Sequence, residues 1–191
     1  MDSFDPQFGY DPLLGVWALW AMSWFVAAIW SGRTQARPMA GSQLLYRAVT
    51  FIGAVMLFDF RGWGPPPLWR LSETGEWAMV WLAVAGFAFC WWARLHLGRL
   101  WSGSVTRKEG HHIVDTGPYR LVRHPIYTGM IVAALATAID RGTIVSMIGL
   151  VLMVLGCWIK ARLEERFLRS ELGADAYDAY AKRTGMLAPF L

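Results

Sequence analysis

IYTGMIVAALATAIDRGTIVSMIGLVLMVLGCWI, residues 126–159, is the stretch that decides the fold. Two uncharged apolar runs, Ile126 to Ile139 and Thr143 to Ile159, are separated only by Asp140-Arg141-Gly142. Runs this long read as helices rather than strands. The chain must therefore reverse within three residues, as a tight antiparallel helical hairpin. Outward from it, three earlier apolar runs appear: Leu13 to Trp30, Leu44 to Phe60 and Trp77 to Leu97. A span needs about 20 residues, at about 1.5 Å each, to cross about 30 Å of hydrocarbon. The first three runs are adequate or nearly so, and the fourth is short. The expectation is an all-α, polytopic membrane helix bundle with about five transmembrane helices, the hairpin among them, and a cytosolic cap.

Composition agrees with that reading. The 191 residues are 55% hydrophobic with a mean hydropathy of +0.34, too apolar for an ordinary soluble domain. Twelve Trp and six Tyr gather at the ends of apolar runs, where amphipathic rings favour the headgroup layer. The formal charge of +4 needs no nucleic acid, because no basic stripe with interleaved aromatics is present. Cys90 and Cys157 both lie inside apolar runs, as reduced packing residues rather than a disulfide pair. His96, His111, His112 and His124 show no zinc-ligand spacing with Cys or carboxylates, although adjacent His111 and His112 keep a metal role open. Residues 1–12 carry Asp2, Asp5 and Asp11 and no basic residue, unlike a signal peptide.

Five crossings put the termini on opposite sides, and the basic residues orient them. With the N-terminus outside, fifteen Lys and Arg face inward against three, Arg61, Arg70 and Arg141, facing outward. The expected topology is N-out and C-in, in a bacterial inner membrane, with Gly64 to Pro67 as a stiff external loop. With no internal repeat, residues 1–191 form one domain: 1–97 hold three spans, and 98–191 hold a loop, the hairpin and a tail. The cap combines Gly98 to Arg123 with the amphipathic tail Arg162 to Leu191. Gly129, Ala133 and Thr137 form a small-residue stripe expected to let the hairpin arms approach closely.

Chemistry concentrates at the hairpin's feet. His124 lies seventeen residues before Arg141 and Trp158 seventeen after, so the arms return to one depth there, and Glu164 and Glu165 emerge one or two turns beyond. Each component also has an ordinary use. Pro125 suits the first position of a helix, Arg123 can be a positive anchor, and His124 can be a structural hydrogen-bonding residue. Tyr119 and Tyr127 can be interface aromatics, and Glu164-Glu165 can face solvent with Lys160 and Arg169 one turn away. Their convergence at one interface is what points to a site.

The run Gly-Pro-Tyr-Arg-Leu-Val-Arg-His-Pro-Ile-Tyr-Thr-Gly, Gly117 to Gly129, is followed by the hairpin, Glu164-Glu165, and then Leu172-Gly173, Tyr177, Tyr180, Lys182-Arg183 and Pro189-Phe190. This pattern, from about Leu97 onward, resembles the isoprenylcysteine carboxyl methyltransferase family and its bacterial and archaeal relatives. Phospholipid N-methyltransferases share a related arrangement, and sterol reductases a similar Arg-His-Pro block. The resemblance implies S-adenosylmethionine as cofactor. Its contacts would be His111, His112, Ile113 and Val114, then Tyr119, then His124, Pro125, Ile126 and Tyr127, then Glu164 and Glu165. It also implies an arginine shortly before the glutamates that handles the substrate carboxylate, with Arg162 the nearest candidate for this catalytic role and Lys160 the next. The partners would be a lipid-like or prenylated small-molecule acceptor and, separately, the membrane lipids. The alternatives are a phospholipid or small-thiol methyltransferase, a sterol-reductase-like NADPH oxidoreductase, and a membrane scaffold without catalysis.

Overall fold

The computed structural model describes residues 11–29, 34–36, 40–59, 64–101, 107–108 and 113–189. Among these described residues, six α-helices and one short strand pair follow in the order α1 (Pro12–Ala28), β1 (Thr34–Ala36), α2 (Ala40–Phe58), α3 (Glu73–Leu97), β2 (Arg107–Lys108), α4 (Pro125–Arg141), α5 (Ile144–Leu172) and α6 (Ala174–Ala181). Each of the five expected apolar runs forms a helix. Among the described residues, two helical stretches are both long and apolar enough to cross a membrane, Glu73–Leu100 and Ile144–Glu171, whereas Pro12–Ala28 and Gln43–Phe58 are apolar but shorter. Phe25, Val26, Leu44, Phe51, Trp81 and Val151 stand exposed on the bundle's outer face. An apolar exterior of that kind suits hydrocarbon better than water.

The arms of the hairpin pack mainly on other helices. The most extensive contacts run between α3 and α4 and between α2 and α5. Glycines set both seams. A Cβ on Gly129 would stand 2.4 Å from the Gly86 carbonyl oxygen and 2.6 Å from Cys90 Sγ, so α3 and α4 touch backbone to backbone. The stripe of Gly129, Ala133 and Thr137 thus serves α3 and α1 rather than the other hairpin arm: Ala133 packs with Phe87 and Cys90, and the Thr137 hydroxyl accepts from Trp17 Nε1 at 3.0 Å. Trp17 and Trp20 then cover Phe87 edge-on and face-on, at centroid distances of 4.8 and 4.7 Å.

One end of the bundle holds the hairpin turn. Asp11 caps α1 by accepting from the Leu14 N–H at 3.1 Å and pairs with Arg141, while Ser72 caps α3. Gly142 ends α4 with φ +63°, a conformation glycine adopts without strain. Its carbonyl accepts from the Leu68 N–H at 2.8 Å, and Trp69 Nε1 donates to the Ile139 carbonyl at 2.8 Å. Leu68 and Trp69, which directly follow Gly64 to Pro67, thus strap that segment's end to the hairpin tip.

At the opposite end Arg94 is fully buried. It donates to the Gly98 and Ala27 carbonyls at 2.6 and 2.7 Å, satisfying carbonyls that the ends of α1 and α3 leave open, and its guanidinium lies 4.5 Å above the Trp101 ring. The segments leaving α1 and α3 also pair there, Thr34 with Lys108 and Ala36 with Arg107, antiparallel. This two- to three-residue pairing leaves the architecture all-α and lets the paired segments satisfy each other's backbone groups. A correction concerns α5, which continues unbroken to Leu172 instead of stopping near Ile159. Its 29 residues give about 43 Å of helix. The tail thus begins as an extension of a membrane helix.

Candidate functional site

The approach to α4 is shaped locally. Gly117–Arg120 makes one 3₁₀ turn with Pro118 and Tyr119 buried, and Pro125 then occupies the first turn of α4 behind His124 at the N-cap. The returning tail runs beside this segment. Arg123 N–H donates to the Gly185 carbonyl at 2.8 Å and His124 N–H to the Met186 carbonyl at 3.1 Å, with Val122 and Gly185 bridged in parallel. Thr128 Oγ1 donates to the Leu187 carbonyl at 2.7 Å, and Met186 and Leu187 pack on Tyr127, Cys157 and Ala161.

Arg123 ties three elements together. Its Nε donates to Glu165 Oε1 at 2.7 Å, and its Nη1 donates to the Ala181 carbonyl at 3.0 Å and to the Thr184 carbonyl. The pair is 12% exposed on both sides, so solvent screens it little, and the fork geometry of a guanidinium suits several fixed acceptors at once. Arg123 is a clasp between α4, α5 and the tail, more than an interfacial anchor.

His124 sits between the two carboxylates. Its Nε2 donates to Glu165 Oε1 at 3.2 Å, and Nδ1 lies 3.6 Å from Glu164 Oε2. Burial alone would pull the imidazole below the usual histidine range; the adjacent Glu164 and Glu165 outweigh it and raise the group. The ring is nearly parallel to that of Tyr127, 9° apart at 5.4 Å, and the Tyr127 hydroxyl donates to Glu164 Oε1 at 2.7 Å. Lys160 Nζ lies 5.1 Å from the Tyr127 ring centroid and 5.6 Å from that of Tyr46 on α2, within cation–π range. Tyr46 itself donates to Gln43 Oε1 at 3.2 Å, and Arg47 Nη2 donates to the same oxygen at 3.1 Å.

The expected residues divide accordingly. His124, Tyr127, Glu164 and Glu165 meet. Pro125 is buried, and the Ile126 carbonyl accepts from Cys90 Sγ at 3.2 Å, so both of these hold α4 against the bundle. Tyr119 is buried beside them: its carbonyl accepts from the Tyr180 hydroxyl at 2.7 Å, and its ring stacks on His96 at 6.4 Å. Burial pushes the Tyr180 phenol up, which keeps it a donor. Ile113 and Val114 lead into the 3₁₀ turn, half-buried, with no contact to His124 among those observed. His111 and His112 lie outside the described residues. Arg162 points elsewhere, over the Trp158 ring at 5.4 Å and into a groove of about 640 Å³ against α6. The clasp of Arg123 and the tail carbonyls are the parts that sequence reasoning missed. Lys160, the second candidate of the sequence, stands one helical turn before Glu164 and shares its face, and its seat is between two tyrosines.

Residues 79–170 match the model of the Isoprenylcysteine carboxyl methyltransferase (ICMT) family, the family whose pattern Gly117 to Gly129 and Glu164-Glu165 carry. That segment includes most of the two helices long enough to span a membrane. No curated protein matches the chain.

Proposed function

We propose, from the premise that residues 79–170 belong to the ICMT family of membrane methyltransferases, that the chain transfers a methyl group from S-adenosylmethionine to a carboxylate on a lipophilic acceptor of the isoprenylcysteine kind. The observation that carries this reading is the meeting of His124, Tyr127, Glu164 and Glu165, drawn from two helices, at one end of the bundle. The donor set fits the cofactor. Each carboxylate has about four acceptor positions, and the observed contacts leave some of them for ribose hydroxyls. The N–H groups opening α4 suit the amino-acid carboxylate, and His124 holds the two glutamates in place beside them. When bound, S-adenosylmethionine would supply a methyl group on a sulfonium, already electrophilic.

The chain's own residues would then orient and exclude water. A carboxylate acceptor needs no base, and alignment carries the acceleration. His124 supports that choice. Both of its ring nitrogens face carboxylates, Nε2 at 3.2 Å from Glu165 and Nδ1 at 3.6 Å from Glu164, so neither is open to take the proton of an amine or thiol. Lys160, rather than Arg162, is the cation beside Tyr127 and on the face of Glu164, and we assign it the acceptor carboxylate. Five crossings with the N-terminus outside complete the proposal, since Asp11, Pro65 to Pro67 and Arg141 share one end of the bundle and the glutamates the other.

Two measurements test this. Titration of the detergent-purified protein with S-adenosylhomocysteine and with NADPH should show binding of the first only. His124→Ala and Glu164→Ala should each weaken it by about 1–3 kcal/mol while helical content is retained. Binding of NADPH alone, or normal binding by both variants, sinks the assignment. For topology, a cysteine at Pro66 should react with an impermeant thiol reagent from outside and one at Ala174 should not; both positions are exposed, and the native thiols are buried. Labelling of the Ala174 cysteine from outside would reverse the proposed orientation.

A further inference from the structure

One face of α5 is exposed along its whole length. Ile144, Ile148, Val151, Leu155 and Trp158, followed by Arg162, Arg166 and Arg169, recur at three- and four-residue spacing and so form one stripe. It changes character midway, from aliphatic through an indole to guanidinium. The cationic part forms a wall of the groove against α6, of about 640 Å³, which Ile159, Glu165, Tyr177, Asp178 and Ala181 also line.

The charges in this groove are not balanced. Arg169 is matched by Asp178, with two bonds of 2.8 and 2.7 Å, and Glu165 is engaged by Arg123 and His124. Arg162 and Arg166 have no carboxylate partner among the described residues. They stand one turn apart, where like charges repel, and Arg162 is steadied only by the Trp158 ring. Two guanidinium groups above an indole and an apolar track match an amphiphile with a phosphate head: the fork geometry takes phosphate oxygens pairwise, indoles favour the headgroup layer, and aliphatic chains continue along the helix below.

We propose that the groove between α5 and α6 binds one anionic phospholipid, its phosphate on Arg162 and Arg166 and its acyl chains along Ile144 to Leu155. The proposal rests on the membrane placement of α5 and not on methyl transfer, so the two readings fail separately. Glu165 lines the groove and also holds His124, so the bound headgroup adjoins the candidate site without occupying it.

Native mass spectrometry of the full chain in neutral detergent tests this, with dioleoylphosphatidylglycerol, dioleoylphosphatidylcholine and inorganic phosphate as separate additions. The glycerol lipid should be retained about tenfold more than the choline lipid. The preference should vanish in R162Q/R166Q and survive in part in R162K/R166K. Both arginines are exposed, and thermal melting checks that the variants fold; the single changes R162Q and R166Q read the same preference if the double variant does not. Equal retention of the two lipids by the wild type, or a preference unchanged in the glutamine variants, overturns the proposal. So does displacement of the glycerol lipid by equimolar inorganic phosphate, which would make this a site for a soluble anion.

Discussion

In an Arg123→Ala variant the tail should come away from the bundle. The substitution removes the partner of Glu165 and the donor to the Ala181 and Thr184 carbonyls together, at a position that is 12% exposed. Removing one side of a buried ion pair costs about 3–5 kcal/mol; with His124 still beside Glu165, the lower end of that range, about 3 kcal/mol, is expected. The protein should melt at a lower temperature, trypsin should cut at Lys182 and Arg183 while the helices persist, and S-adenosylhomocysteine should no longer bind. Arg123→Lys should fall between, because an ammonium keeps the charge but cannot reach three fixed acceptors with a planar fork. A variant that melts like the wild type with a trypsin-resistant tail would show that the clasp contributes nothing.

The second large effect is expected at Gly129. A Cβ there meets the Gly86 carbonyl oxygen at 2.4 Å and the Cys90 backbone nitrogen at 3.1 Å, neither of which is the end of a flexible side chain. Gly129→Val must therefore part α3 from α4, and overpacking at well-packed sites costs about 1–3 kcal/mol, occasionally more. With backbone on the other side, at least about 3 kcal/mol is expected. The consequence extends to the site, because His124 and Tyr127 ride on the first turn of α4 and their glutamate partners on α5. Thermal melting should show the lost stability, and calorimetric titration with S-adenosylhomocysteine the lost affinity. Leu135→Val, on the exposed face of α4, is the control and should do neither. Retained wild-type stability in Gly129→Val would mean that the seam is looser than its geometry.

Much of this was legible in the residues, and the failures have physical reasons. Apolar runs mark where a helix meets hydrocarbon, so the five helices could be read. They do not mark where a helix ends: charged residues after Ile159 are good helix formers, and no glycine or proline intervenes until Gly173. The hairpin arithmetic correctly brought His124 to the glutamates, because the turn at Gly142 is short. It could not reveal that α4 leans on α3 and α5 on α2, since small residues announce a close approach without naming the partner. Arg162 lies apart from His124 and Tyr127 for a simpler reason. Two residues before Glu164 is about 200° around the helix, whereas Lys160, four before, lies on the same side. The clasp had no local signature at all, because two of Arg123's partners are backbone carbonyls on a segment about 60 residues away.

That distance has a bearing on how the molecule is made. Val122 pairs with Gly185, and a ribosome delivers the second long after the first. Both arms of the hairpin can enter the bilayer while Arg123 still has none of its tail acceptors. The site is thus the last region to assemble, closing a loop of about 60 residues whose entropic cost grows only slowly with length. Until then the nascent chain has its hairpin without the tail that clasps its feet, a temporal order in which the proposed site is closed last.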